Sequence, residues 1–350
     1  MQVAFFPDHY RGGNPYLDLL ETSLREIGIN VYPTKVDRPF YWWLKQHQRE
    51  INVLHFHWLH HIYHQNTYRE SVTRLLKFGM QLSYAKLLGY RIVWTLHNLY
   101  PHERPRPHLD QWMRWLILRF ADAVIVHCHA AKSTFYQTFH YKHPVYVAPH
   151  GHYIGIYPDT ITQVEARERL GICRKHLSFL YLGQIRPYKG LRNLLRSFNE
   201  IPHPNLNLII AGTVPNDDTS ATNELRQMLE KDTRCISHLN WIPNEELQVY
   251  FKAADVVVCP FDRVLTSGSA VLAMSFGRPV VVPALGCLPE LITPDIGILY
   301  NPNIQGSLKD ALLRCTTMDL DIMGQNAYQA AKLYSWRNTA EIVRAAYNGD

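Results

Sequence analysis

Short apolar segments alternate with amphipathic segments along almost the whole chain of 350 residues. An apolar strand-like run at 2–6 is followed by a segment, 16–27, in which Leu17, Leu20 and Leu24 have the spacing of a helical stripe. Strands that alternate with helices predict βαβ units and parallel sheets, and therefore the α/β fold class. The chain is too long for one ordinary core, so we expect two Rossmann-like domains facing across a cleft.

The alternation is interrupted once, by a stretch at 150–162 that contains glycine and proline but has no clear periodicity. We therefore predict an N-terminal Rossmann-like domain at 1–150 and a C-terminal one at 151–335. The last predicted helix, 336–347, is expected to pack back on the first domain.

Positive charge is concentrated in the first 150 residues, which hold 17 Lys and Arg against 10 Asp and Glu, whereas the remaining residues have a net charge of −1. Such a basic half predicts an anionic partner, which could be a phospholipid surface, a diphosphate lipid or a nucleic acid. Two stretches that join aromatic residues to cations, 40–45 and 111–119, suit the interfacial region of a bilayer. The second stretch is also typical of an amphipathic core helix.

No segment reaches the ~18 apolar residues that a membrane span needs. The apolar run at the N-terminus is too short for a signal peptide and lacks a basic leader. We therefore expect a cytoplasmic protein that is peripheral to the inner face of the membrane.

A basic loop, 183–190, follows the first apolar strand of the second domain and precedes a helix. Gly183 would allow a tight turn at the strand end. Arg186 and Lys189 would then project over the carboxyl edge of the sheet, where they could bind an anion such as a diphosphate. The alternative is that both are solvated cations on an ordinary loop.

A second loop with anion-binding character follows the apolar strand at 256–259. Small residues open an apolar helix there, so free backbone N–H groups and the positive end of the helix dipole would face a ligand. The alternative is a plain N-cap. These residues are Thr266, Ser267, Gly268, Ser269 and Ala270.

These two loops and several shorter segments resemble the GT-B-fold glycosyltransferases of family 4, formerly called "group 1", and related bacterial transferases that make polysaccharides and lipid-linked oligosaccharides. The resemblance runs along nearly the whole chain, and its order and spacing are specific for the superfamily but not for a donor sugar. The matching segments are 14–16, 53–58, 95–98, 148–151, 183–190, 211–212, 268–282, 288–290 and 335–336.

The resemblance implies a hexosyltransferase that moves a sugar from a nucleotide-diphosphate donor, such as a UDP- or GDP-sugar, to a polyisoprenoid- or lipid-linked glycan. It implies that Arg186, Lys189 and the amides of 266–270 bind the donor diphosphate, and that no cofactor is needed. Further residues expected to line the substrate cleft are Gly13, Asn14, His57, Asn98, His150, Gly183 and Glu290.

One departure from the family pattern concerns the mechanism. Many members carry two glutamates near the second loop, one for the donor sugar and one for the ribose, but Val264 and Leu272 stand at those positions here. We therefore favour an inverting over a retaining transfer. An inverting transfer needs a general base for the acceptor hydroxyl, and His97 is our candidate. The other candidates near strand ends are Asp8, His9, His57, His102 and Glu103.

A histidine-rich segment, 55–64, raises the possibility of a metal site, but no cysteine or carboxylate at ligand spacing accompanies it. The acidic pair Asp319 and Asp321 lies far along the chain from either phosphate loop. We therefore expect no metal.

Two other functions remain open from the sequence. A GT-B-fold sugar-nucleotide epimerase would use the same phosphate loops without a lipid acceptor. A basic nucleic-acid-binding protein would use the basic half, but the chain matches none of the helix-turn-helix, RRM or zinc-finger patterns, so nucleic acid is not an expected partner.

Overall fold

The computed structural model describes residues 1–7, 15–34, 36, 38–101, 106–214 and 219–350, with the side chains of 219–223 excepted. The described chain forms two compact units. Unit 1 comprises Met1–Gly151 and Tyr334–Asp350, and unit 2 comprises His152–Leu333. The sequence prediction divided the chain at residues 150 and 335.

Unit 1 contains a six-stranded parallel sheet in the order β2-β1-β3-β4-β5-β6. Its strands are β1 (Gln2–Phe6), β2 (Asn30–Tyr32), β3 (Val53–Phe56), β4 (Arg91–Thr95), β5 (Ala123–Val126) and β6 (Val145–Val147). Its helices are α1 (Tyr16–Glu26), α2 (Tyr41–His47), α3 (His60–Tyr63), α4 (Tyr68–Leu87), α5 (Pro107–Phe120), α6 (His129–Thr138) and, from the end of the chain, α15 (Trp336–Asn348).

The apolar stripe of α1 explains how the last helix joins this unit. Leu17, Leu20 and Leu24 are buried together with Val343 and Tyr347 of α15. The same cluster includes inward-facing residues of the sheet. The terminal helix is therefore part of the hydrophobic core of unit 1.

Unit 2 contains a second six-stranded parallel sheet, in the order β12-β11-β10-β7-β8-β9, which is the strand order of a Rossmann domain. Its strands are β7 (Leu177–Leu182), β8 (Leu206–Ala211), β9 (Cys235–His238), β10 (Val256–Val258), β11 (Val280–Pro283) and β12 (Gly297–Tyr300). Its helices are α7 (Gln163–Arg169), α8 (Leu191–Asn199), α9 (Thr219–Glu230), α10 (Leu247–Ala253), α11 (Gly268–Ser275), α12 (Leu288–Leu291), α13 (Ser307–Cys315) and α14 (Leu320–Lys332).

Both faces of the unit 2 sheet are covered, which explains its continuous apolar strands. Alternate residues of one strand enter two separate core clusters: Val257 lies in one, and Val256 and Val258 lie in the other. This arrangement confirms the predicted α/β class with parallel sheets.

The reversal of strand order locates the expected ligand crevice of each sheet. In unit 1 the reversal lies between β1 and β3, which are paired through Phe6 and Phe56. In unit 2 it lies between β7 and β10, which are paired through Phe179 and Val256. Loops that follow these strands are therefore the ones placed to contact a ligand.

The predicted strands at 2–6 and 256–259 and the predicted helices at 16–27 and 336–347 are confirmed to within one residue, whereas no helix is predicted at α2, α3, α6, α7 or α12. The aromatic and basic residues at 40–45 suit a bilayer interface by composition, but Trp43 and Leu44 are buried in the core. Among the described residues, no helix is both long enough and apolar enough to cross a bilayer.

Candidate active site

Four neighbouring strands of unit 1 are followed, within three residues, by a histidine. His57 and His127 directly follow β3 and β5, His97 is the second residue after β4, and His150 is the third after β6. Because parallel strands end at the same edge of the sheet, the four rings lie together there. The ring centroids are 5.5 Å apart for His57 and His97, 5.2 Å for His97 and His127, and 5.8 Å for His127 and His150.

Three of these histidines form a hydrogen-bonded chain. Nδ1 of His57 lies 3.2 Å from Nε2 of His97. Nδ1 of His97 in turn lies 3.3 Å from Nε2 of His127. The chain is fixed at one end, where Nδ1 of His127 lies 2.8 Å from the carbonyl oxygen of Ala148. Both ring nitrogens of His97, the predicted base, therefore face another histidine.

Aromatic side chains hold the His97 ring in place. Trp58 stacks on it with a centroid distance of 4.3 Å and an interplanar angle of 12°. Tyr16, from the start of α1, meets it edge-on at 4.9 Å. His97 is nevertheless partly exposed, whereas His57 is 1% exposed. A ligand at this edge of the sheet would therefore reach His97 more readily than His57.

Burial keeps these rings neutral near pH 7, because it disfavours the charged imidazolium. It lowers the pKa of His127 to about 4 and, together with the neighbouring His127, that of His150 to about 3. Burial and the adjacent histidines lower the pKa of both His57 and His97 well below 6.5. Each ring therefore has one protonated and one bare nitrogen at neutral pH.

His55 lies beside the hydrogen-bonded histidines, but its contacts stabilise the fold. Its Nδ1 lies 2.7 Å from the hydroxyl of Tyr347 in α15, and its Nε2 lies 2.7 Å from Oγ1 of Thr95. Both ring nitrogens are thus used to attach the last helix to the sheet. We assign His55 to the core rather than to the site.

The remaining histidines of segment 55–64 are not arranged as metal ligands. His64 Nε2 lies 3.1 Å from a carboxylate oxygen of the buried Asp110, to which the Tyr63 hydroxyl also donates a hydrogen bond. In the described ranges, no group of three or more His, Cys, Asp or Glu side chains could hold a metal ion. Asp319 instead caps α14, where its Oδ1 accepts a hydrogen bond from the N–H of Ile322 at 3.0 Å.

In unit 2 the β7–α8 loop brings a lysine back over the strand end. Gly183 turns the chain with a φ of +136°, and a short 3₁₀ turn, Pro187–Lys189, follows. A Cβ atom on Gly183 would lie only 3.8 Å from the Lys189 ammonium. The ammonium also lies 5.1 Å from the centroid of the Phe261 ring. Arg186 is partly exposed and immediately precedes the turn.

The charge of Lys189 is not compensated within the described chain. Its ammonium group forms no salt bridge or hydrogen bond with the described residues. Burial lowers the pKa of Lys189, because the charged form is partly removed from water. A partly buried cation without a counter-ion is costly, and a bound anion would relieve that cost.

The β10–α11 loop supplies a helix N-terminus. Oγ of Ser267 caps α11 by accepting a hydrogen bond from the N–H of Ala270 at 3.1 Å. The Ala270 amide therefore already has a hydrogen-bond acceptor within the cap. The N–H groups of Gly268 and Ser269, by contrast, donate to no described residue, and both residues are partly exposed. Thr266, also partly exposed, precedes the cap.

These two loops are in direct contact. The N–H of Asp262 donates to the carbonyl oxygen of Tyr188 at 3.0 Å. Gly190, with a φ of +73°, approaches the β10–α11 loop so closely that a Cβ atom there would lie 1.7 Å from the carbonyl oxygen of Pro260. The loop that carries Lys189 therefore lies against the β10–α11 loop, which leads into α11, at the switch point of the sheet.

The structure describes some but not all of the other residues that were predicted to line the cleft. Gly13 and Asn14 lie outside the described residues. Asn98 is partly exposed just after His97, and Nδ1 of His150 lies 2.8 Å from the carbonyl oxygen of Gly151. Glu290 is exposed on the short helix α12.

At the two positions where many family members carry a glutamate, this chain has apolar side chains that pack against the core. Val264 and Leu272 are partly buried and pack against the core cluster that contains Val257. Neither position supplies a carboxylate to the sugar or the ribose.

His127 is not among the site residues that the sequence predicts. It has the same signal as His57, a histidine directly after a buried apolar strand. Their convergence depends on β4 lying between β3 and β5. Chemically, unit 1 offers a neutral imidazole that could accept a proton, and unit 2 offers a cation and two backbone N–H groups that could bind an anion.

The sequence is similar to those of named glycosyltransferases. Residues 176–317 match the family model "Glycosyl transferases group 1". The chain is 26% identical, over 86% of its length and 79% of the relative, to the GDP-mannose:glycolipid 4-beta-D-mannosyltransferase of Xanthomonas campestris pv. campestris. It is 29% identical, over 47% of its length and 44% of the relative, to the O-antigen chain mannosyltransferase B of Escherichia coli.

Solved structures agree on the fold. Sucrose-phosphate synthase from Thermosynechococcus elongatus matches with a TM-score of 0.77 at 19% identity, covering 99% of this chain and 98% of that one. Anabaena HepE in complex with UDP-glucose matches with a TM-score of 0.74 at 18% identity, covering 99% of each chain. The chain is thus a glycosyltransferase of the GT-B fold that resembles the group 1 glycosyltransferases, whose family model matches residues 176–317 of its second unit.

Proposed function

We propose that this protein transfers a hexose from a nucleotide-diphosphate donor to a lipid-linked glycan, with inversion at the anomeric carbon. The observation that carries the donor half of the proposal is Lys189, a partly buried ammonium without a counter-ion at the switch point of unit 2. A diphosphate would neutralise it. The diphosphate would also accept hydrogen bonds from the N–H groups of Gly268 and Ser269, at the positive end of α11.

GDP-mannose is the donor we favour. The relative that covers most of this chain is named as a GDP-mannose-dependent glycolipid mannosyltransferase, and a second relative is named as an O-antigen mannosyltransferase. One name joins mannose to a glycolipid, and the other joins it to an O-antigen chain. A polyisoprenoid- or lipid-linked acceptor is consistent with both names.

Inversion is supported by two features. Val264 and Leu272 leave the donor loop without the glutamates that the retaining pattern carries. The relative's name specifies a β-mannosyl product, and a β product from an α-linked donor requires inversion. We therefore propose that unit 1 binds the acceptor and that His97, a neutral and partly exposed histidine, accepts the proton of its hydroxyl.

We propose that the protein binds its lipid-linked acceptor at a membrane surface. Helices α4 and α5 of unit 1 form an apolar groove of about 780 Å³. Trp112 and Trp115 line it with 55% and 69% of their surfaces exposed. Arg119 lines the same groove and forms no ion pair with a described residue. Exposed tryptophans beside a free cation fit the interface of an anionic bilayer.

The donor proposal is tested by a thermal-shift screen of GDP, UDP, ADP and CDP. A nucleotide at ~100 times its dissociation constant stabilises a protein by about 2.7 kcal/mol. We expect GDP to give the largest shift. The donor class would be rejected if none of the four shifted the melting temperature, and a larger shift with UDP would redirect the base assignment. Incubation with GDP-mannose alone should yield no epimer, which separates transfer from epimerisation.

A further inference from the structure

The hydrogen-bonded chain of histidines determines which nitrogen of each ring carries the proton. The carbonyl oxygen of Ala148 only accepts hydrogen bonds, so the Nδ1 of His127 that lies 2.8 Å from it must be protonated. A neutral imidazole has one donor and one acceptor nitrogen, so Nε2 of His127 is an acceptor. The adjacent Nδ1 of His97, at 3.3 Å, must then be the donor.

The tautomer of His97 in turn determines the tautomer of His57. If Nδ1 of His97 carries the proton, its Nε2 carries a lone pair. Nδ1 of His57, 3.2 Å away, therefore donates to that lone pair. Nε2 of His57 is left bare, and this buried atom indeed has no hydrogen-bond partner among the described residues. One backbone carbonyl thus sets the tautomer of three rings.

We propose that His127 is a positioning residue for the sugar transfer: anchored on the Ala148 carbonyl, it holds His97 in the Nδ1–H tautomer, so that Nε2 of His97 is the basic atom. This inference rests on the proposed role of His97 as the base. It adds a residue that does not itself contact the substrate, and it names the nitrogen that takes the proton.

The proton balance of the step follows from this tautomer. The acceptor hydroxyl takes the place that the His57 Nδ1–H holds at Nε2 of His97, and its O–H bond breaks as the proton moves to that nitrogen. The acceptor oxygen bonds to the anomeric carbon, and the nucleoside diphosphate leaves with the electron pair of the broken carbon–oxygen bond. His97 becomes an imidazolium whose Nδ1–H still donates to His127, and this hydrogen bond strengthens because its donor is now charged.

The tautomer can be measured without any substrate. Free histidine prefers the Nε2–H form, so the Nδ1–H form is a distinctive signature. Two-bond ¹H–¹⁵N correlation spectra of the ring nitrogens, recorded on the full chain at pH 7.5, should show His97 and His127 in the Nδ1–H form. A spectrum with His97 in the Nε2–H form would overturn the inference.

Variants of His127 connect the tautomer to the rate. His127→Phe removes the acceptor for the His97 Nδ1–H, and we expect the His97 signature to be lost and kcat to fall by about 10- to 100-fold, as for other residues that orient a reactive group. In His127→Gln one amide could both donate to Ala148 and accept from His97, so tautomer and kcat should be largely retained. His140→Phe, at an exposed histidine of the same unit, should change neither quantity.

One outcome would contradict the proposed role of His127. If His127→Phe keeps the Nδ1–H signature of His97 and a wild-type kcat, His127 is not a positioning residue. If His127→Phe does not fold, the wild-type and His127→Gln spectra still decide. The spectra need no sugar donor, so they test the tautomer of His97 independently of the sugar transfer. An unexpected tautomer would contradict this inference even if transfer is observed, and absence of transfer would contradict the proposed function even if the tautomer is as expected.

Discussion

Nδ1 of His97 lies 3.3 Å from Nε2 of His127, although the two residues follow different strands of the unit 1 sheet. Burial keeps both rings neutral, and the Ala148 carbonyl orients the pair. A histidine that is held neutral and oriented can accept a proton without first losing one. This relationship links the sheet topology to the proposed chemistry.

The first prediction concerns the donor diphosphate. Lys189→Met and Arg186→Met should each weaken the binding of GDP by roughly 10- to 150-fold, because a hydrogen bond to a charged group contributes about 1.5–3 kcal/mol. Isothermal titration calorimetry measures this directly. Arg192→Met is the matched control, since Arg192 is an exposed cation of α8 that pairs with Glu224 at 2.9 Å. Unchanged affinity in both loop variants would refute the assignment.

The second prediction concerns the membrane. Binding to anionic vesicles should weaken as salt rises, because the attraction is screened beyond ~8 Å at physiological ionic strength. Arg119→Gln should weaken it about fivefold, since one cation near the surface contributes about 1 kcal/mol. The double variant Trp112→Ser and Trp115→Ser should weaken binding at every salt concentration. Co-sedimentation with anionic and neutral vesicles measures both effects.

The control for the membrane prediction lies in unit 2. Trp241 is 62% exposed there, so Trp241→Ser removes a comparable aromatic surface away from the groove and should leave vesicle binding unchanged. Equal and negligible binding of the wild type to both vesicle types at low salt would reject the membrane role. The assignment to the glycosyltransferases would stand.

The third prediction concerns pH and stability. Between pH 6.5 and about 4 the unfolded chain protonates His127, His150 and His55, whereas the folded protein keeps them neutral. The unfolded state therefore binds more protons, and the free energy of unfolding should fall as the pH is lowered through this range, by up to about 1.4 kcal/mol per pH unit for each such histidine.

Urea titrations at pH 7.5, 6.5 and 5.5 would measure this slope. His127→Gln should reduce the slope by the contribution of one histidine, which is up to about 1.4 kcal/mol per pH unit. A free energy of unfolding that is independent of pH over this range would show that these histidines are not buried as neutral rings.

The fourth prediction concerns metal ions. In the proposed donor site a cationic side chain and two backbone N–H groups would neutralise the leaving diphosphate, so we expect turnover to persist in the presence of a chelator. The measurement is the initial rate with EDTA, and then with added Mg²⁺ or Mn²⁺. Complete loss of turnover that either metal restores would contradict this expectation.

The sequence predicted the fold well because strand and helix signals are local. The apolar stripe of α1, for example, is visible as Leu17, Leu20 and Leu24, and the helix begins at Tyr16 as predicted. The segment of α2 is not predictable in this way, because its aromatic residues have the composition of an interfacial surface although Trp43 is buried in the core. Burial of a short helix is a property of its neighbours rather than of its own sequence.

The site was only partly predictable for the same reason. Lys189 and Ser267 follow apolar strands and could be picked from the chain. The contact of their loops, and the capping bond that occupies the Ala270 amide, depend on β7 lying beside β10. The histidine chain likewise depends on strand order, and its tautomers depend on a carbonyl at residue 148 that no side-chain pattern reveals.

The most direct test of the account is transfer of radiolabelled mannose from GDP-mannose to a lipid-linked glycan in bacterial membranes. We predict that label moves into the organic-extractable fraction with the wild-type protein. With Lys189→Met or His97→Ala it should do so at a small fraction of that rate. Proton NMR of the product should show a β-linkage. No incorporation of label from GDP-mannose or from any other nucleotide sugar, under conditions where the protein is folded and binds GDP, would contradict the central claim.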